Sequence, residues 1–78
     1  MKAMTCNQLG GACEKEFQAD DFDKIAVLSK SHGMEMFQAG DKDHLMAMKE
    51  MRELMNNPDA LKTWFDDKRK EFDAQPEI

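Results

Sequence analysis

From Phe22 onward, hydrophobic residues recur every three or four positions, the spacing that collects them on one face of an α-helix. Polar and glycine-containing breaks divide this pattern into three predicted helices. The first runs from residue 22 towards residue 37, with Asp20 or Asp21 as its N-cap and Gly40 placed to end it in a left-handed turn. One side of this helix carries Phe22, Ile25, Ser29, His32 and Met36.

The second and third helices are delimited by capping residues. Asp41 is predicted to cap the second helix, and Asn57 caps the third, which starts at Pro58 and runs to about residue 72. The face of the second helix that is expected to pack inward carries His44, Ala47, Met48, Met51, Leu54 and Met55, and that of the third carries Leu61, Trp64, Phe65, Lys68 and Phe72. Residues 73–78 show no periodicity, and we expect a frayed tail.

The N-terminal segment is typical of a β-hairpin, with strands at residues 2–6 and 12–18 joined by a turn that contains two glycines. A period of two places Met4 and Cys6 on one face of the first strand, and Cys13 and Phe17 on one face of the second. The prediction is an α+β fold in which a two-stranded antiparallel hairpin packs against three helices. A chain of 78 residues encloses one core, so residues 1–72 form one domain.

Composition and charge narrow the range of partners. Eleven basic and sixteen acidic residues give a net charge of −5, which repels nucleic acid and anionic membranes, and we expect neither as a partner. No apolar run approaches the roughly 20 residues of a membrane helix, and the first six residues lack the apolar region of a signal peptide. We therefore expect a cytoplasmic protein, as a monomer or homodimer.

No nucleotide-binding loop, catalytic triad or metalloprotease motif is present, and no enzyme is expected. The candidate functional residues are two cysteines and two histidines. Cys6 and Cys13 flank the turn of the hairpin, while His32 and His44 lie on the apolar faces of their helices. These four donors would suit zinc or another late transition metal. The alternative is that both thiols pack as buried apolar groups and both histidines bond to carbonyls.

Eight methionines suggest a second function, that of a non-catalytic protein-interaction module with a Met-lined helical surface. Met34 and Met46 lie off the main apolar faces and are its expected members, whereas Met48, Met51 and Met55 are expected to line a core. A copper site is disfavoured because Met34 and Met36 point to different sides of their helix.

The string Met-Thr-Cys-Asn-Gln-Leu-Gly-Gly-Ala-Cys at residues 4–13, followed by a helix with Ser-His-Gly-Met at 31–34, resembles a bacterial and archaeal domain of unknown function. Its members are described as predicted small metal-binding proteins. The resemblance covers roughly residues 1–37 and implies Cys6, Cys13 and His32 as ligands, with no enzymatic activity. The family's second histidine would fall at Phe37, so His44 would have to replace it; a disulfide between the two cysteines is the alternative.

Overall fold

The chain folds as a short hairpin followed by three helices in a computed structural model that describes residues 1–78. The strands are β1, Lys2–Thr5, and β2, Glu16–Ala19, with a 3-10 turn at Asn7–Leu9 between them. The helices are α1, Phe22–Ala39, α2, Lys42–Met55, and α3, Pro58–Ala74. The predicted α+β fold is confirmed, and none of the helices has the length and apolar character needed to cross a bilayer.

The two strands pair antiparallel, with Met4 opposite Phe17 and both side chains buried. They are shorter than predicted, because residues 6–15 form a folded connection in place of two longer strands. The Cys6 amide donates to the Lys15 carbonyl at 2.7 Å, and the Asn7 amide donates to the Cys13 carbonyl at 2.8 Å. The prediction that Cys13 shares a strand face with Phe17 is therefore wrong, since Cys13 lies in this connection.

Side-chain caps begin all three helices as the sequence predicts. Asp21, Asp41 and Asn57 each accept a hydrogen bond from the backbone amide three residues ahead, and Pro58 occupies the first turn of α3. Gly40 ends α1 with a φ of 72°, a conformation that glycine adopts without steric cost. Both α1 and α3 extend two residues beyond their predicted ends.

The apolar core is small and lies between the hairpin, the first turn of α1 and the end of α3. Its eight buried members are Met4, Cys6, Leu9, Phe17, Ala19, Phe22, Ile25 and Phe72. None comes from α2, whose one buried residue is His44. The amphipathic pattern identifies the face that α2 turns towards the protein, but it does not show whether another layer covers that face.

An open groove takes the place of the core expected between the helices. Met48 and Met51, predicted to line a core, are half-buried in the wall of this groove, and Met55 is 58% exposed there. Met34 also lines the groove, but Met46 does not. The core prediction for these α2 methionines is thus wrong, because no further element of this short chain covers them.

Candidate metal centre

Four side chains from separate segments converge beside the hairpin. The sulfurs of Cys6 and Cys13 and one ring nitrogen each of His32 and His44 all lie within 4.8 Å of one another. Cys6, His32 and His44 are buried, and Cys13 is half-buried. The predicted set of four donors is therefore brought together completely.

The four donors come from three parts of the fold. Cys6 and Cys13 lie near the two ends of the connection, whose backbone hydrogen bonds hold these ends together. His32 projects from the second half of α1, and His44 from the first turn of α2. Because α1 and α2 are joined by only two residues, the two histidines approach each other closely. Their ring centroids lie 5.3 Å apart with the ring planes at 80°.

Two glycines allow the connection to pass close to the Cys6 thiol. Gly10 has a φ of 91°, in the left-handed region that favours glycine. The Gly11 amide donates to the Cys6 carbonyl at 2.8 Å, and a Cβ at Gly11 would overlap the Cys6 sulfur. The Gly-Gly pair is therefore needed for the position of the thiol as well as for the turn.

Two sulfur–nitrogen distances within the cluster match those of a tetrahedral site. Cys13 Sγ lies 3.3 Å from His32 Nε2, and Cys6 Sγ lies 3.6 Å from His44 Nε2. Zinc bonds of about 2.3 Å to sulfur and about 2.0 Å to nitrogen, at tetrahedral angles, separate these two donor atoms by about 3.5 Å. The donors thus fit an ion of this size and preference with small adjustments.

Asp41 orients one of the ligands. Its Oδ2 accepts a hydrogen bond from the His44 backbone amide at 3.0 Å and another from His44 Nδ1 at 2.5 Å. A proton held on Nδ1 leaves Nε2, which faces the sulfurs, free to bind a metal. The same hydrogen bond raises the pKa of His44 and lowers that of Asp41.

The two thiols have different acidities. Burial raises the pKa of Cys6, whereas a hydrogen bond from the Lys15 backbone lowers the pKa of Cys13. Both cysteines are free thiols in the structure. Since the thiolate is the form that binds metal, Cys13 is the more readily available sulfur ligand at neutral pH.

The sequence predicts only a capping role for Asp41, and the contact of its carboxylate with the His44 ring is seen only in the structure. An Asp at the N-cap with a His three residues later was the available signal, because this spacing brings the carboxylate near both the backbone amide and the side chain of the third residue. A carboxylate behind a ligating histidine is common in metal sites.

The fold and the cluster together define a small α+β chain with two cysteines and two histidines arranged suitably for a metal ion. No protein-family model matches this chain, and no curated protein and no solved structure matches it either. The family resemblance inferred from residues 1–37 therefore stays a prediction.

Proposed function

We propose that this protein is a non-catalytic metal-binding module that holds zinc, or another late transition metal, through Cys6, Cys13, His32 and His44. The observation that carries the proposal is the convergence of four donors, from the connection, α1 and α2, to within 4.8 Å of one another. Two thiolates with two neutral imidazoles form a donor set that zinc prefers.

The bound ion would stabilise the fold at its weakest point. Helix α2 contributes no apolar residue to the core, and His44 is its one buried side chain. An ion at the cluster would link α2 through His44 to α1 and to both ends of the connection between the strands. Since the apolar core has only eight members, metal coordination would supply a substantial part of the stability.

A structural role is favoured over catalysis by the number of ligands. Catalytic zinc sites keep one coordination position for water or substrate, whereas four protein ligands complete a tetrahedral shell. The burial of three of the four donors also limits the access of a substrate to the ion.

The test is native mass spectrometry of the purified protein, combined with thermal melting in zinc and in chelator. We expect one metal ion per chain. Zinc at a hundredfold excess over its Kd should stabilise the protein by about 2.7 kcal/mol, which raises the Tm of a domain of this size by roughly 10–20 °C. The Cys13→Ser variant should lose most of this rise, and the control variant Met46→Ala, exposed and outside the cluster, should keep it.

Absence of stoichiometric metal, together with a Tm that zinc does not change, would overturn the proposal. In that case the four side chains serve as packing, and the interaction module with a Met-lined surface becomes the better hypothesis.

A further inference from the structure

A groove lies between α1, α2 and α3 and shares only His44 with the four-donor cluster. The groove encloses about 640 Å³, within the range of about 300–1,000 Å³ that is typical of small-molecule sites. Its wall is mainly apolar and includes Met34, Met48, Met51, Met55, Trp64 and Phe65. Methionine side chains adapt to flexible apolar ligands, because the thioether chain is unbranched and polarisable.

The charges around the groove are opposite in sign to the net charge of the chain. Of sixteen acidic residues in the sequence, none lines the groove, whereas two cationic residues, Lys30 and Arg52, do. Neither of them forms an ion pair with another residue of the chain. An acidic protein therefore presents an apolar groove with two unpaired positive charges.

Both cations are farther along the chain from the joint between α1 and α2 than the point at which these helices touch. Gly33 of α1 faces Met48 of α2, since a Cβ at Gly33 would lie 3.4 Å from Met48 Cε. Lys30 precedes Gly33 by three residues and Arg52 follows Met48 by four, which is about one helical turn in each case. Lys30 and Arg52 are therefore each about one helical turn farther than the Gly33–Met48 contact from the two residues that join α1 to α2. Since both also line the groove, we expect a single anionic group to interact with both.

We propose that the groove binds an aliphatic monocarboxylate, such as a medium-chain fatty acid. Its hydrocarbon chain would lie among the methionines and Trp64, and its carboxylate would interact with Lys30 and Arg52. The guanidinium group of an arginine matches a carboxylate with two parallel hydrogen bonds. This proposal does not depend on metal binding. The apolar wall of the groove and both cations lie outside the four-donor cluster, and His44 is the one cluster residue that lines the groove.

Trp64, the one tryptophan of the chain, reports directly on the groove. The full-length protein is titrated with octanoate, decanoate and dodecanoate below micelle-forming concentrations while Trp64 fluorescence is recorded. We expect saturable binding of one ligand per chain, with affinity rising roughly fourfold for each added CH₂ group that is buried. Dodecyltrimethylammonium, with the same chain length and the opposite charge, should bind at least tenfold more weakly.

Paired variants test the role of charge. The double variant Lys30→Gln/Arg52→Gln should weaken dodecanoate binding about tenfold. The matched control Lys62→Gln/Lys70→Gln removes the same charge from exposed positions of α3 outside the groove and should bind as the parent does. Circular dichroism melting checks that both double variants are folded. Met55→Gln, at an exposed position of the groove wall, should weaken binding and reduce the dependence on chain length.

Three results would overturn the proposal. The first is binding that does not depend on chain length, and the second is equal affinity for the ammonium and carboxylate ligands. The third is a groove closed by a second copy of the chain, which light scattering would detect as a stable dimer that does not bind dodecanoate.

Discussion

The Asp41 carboxylate both caps α2 and contacts His44, a proposed metal ligand. Two different substitutions at this position can therefore separate the effect on helix stability from the effect on metal affinity. Oδ2 accepts from the backbone amide of His44 at the start of α2 and from Nδ1 of the same residue. In Asp41→Ala both contacts are lost. Asp41→Asn keeps an effective N-cap and an uncharged acceptor, and therefore removes the charge behind the ligand while largely preserving the helix start.

The expected effects differ in size for the two roles. Loss of an N-cap to alanine lowers the Tm of the metal-free protein by roughly 4–8 °C for a domain of this size. Loss of the carboxylate behind a ligating histidine weakens metal binding by about 10–100-fold. Asp41→Asn should therefore melt close to the parent without metal but bind zinc more weakly, and Asp41→Ala should be impaired in both respects.

Zinc affinity is measured by competition with a chromophoric chelator, and Tm by circular dichroism in the presence of a strong chelator. The matched control is Asp21→Ala, which removes the acidic N-cap of α1. The Oδ1 of Asp21 accepts a hydrogen bond from the Lys24 backbone amide at 2.8 Å. This control should lower the Tm by a similar amount and leave zinc affinity unchanged. Equal zinc affinities for Asp21→Ala and Asp41→Ala would refute the role assigned to Asp41 in orienting His44.

The remaining predictions concern pH and the glycines. Zinc affinity, measured by the same competition, should rise at least tenfold per pH unit between pH 6 and 8, because burial raises the pKa of Cys6 and its thiol must release a proton on binding. Without metal, the pair formed by Asp41 and His44 should stabilise the fold at intermediate pH. This contribution is lost as the pH rises through the folded pKa of His44, which the hydrogen bond with Asp41 raises. It is also lost as the pH falls through the folded pKa of Asp41, which the same bond lowers; urea titrations from acidic to mildly alkaline pH test both losses. Gly11→Ala should abolish tight zinc binding, seen by the same competition, because its Cβ would overlap the Cys6 sulfur. Gly33→Ala should instead raise the stability to urea by up to about 1 kcal/mol, since its Cβ makes an ordinary contact and alanine favours the helix.

The parts of the fold that could be predicted depend on short-range interactions. The caps at Asp21, Asp41 and Asn57 join residues three positions apart, and the turn at Gly40 depends on the conformational freedom of one residue. The connection between the strands was predicted less well. Its hydrogen bonds between residues 6 and 15 replace part of a regular ladder, and alternation of apolar residues does not distinguish the two arrangements.

Side-chain chemistry and helical periodicity are local properties, so the donor atoms and the helix face of each histidine could be predicted from the sequence. The contacts of Cys6 with His44, 38 positions away, and of Cys13 with His32 depend on how the helices pack against the connection, and the sequence does not show this packing. The groove between the helices is likewise a tertiary feature. The physical reason is that the packing of α2 depends on which surfaces the rest of the chain covers, and no periodicity within α2 contains that information.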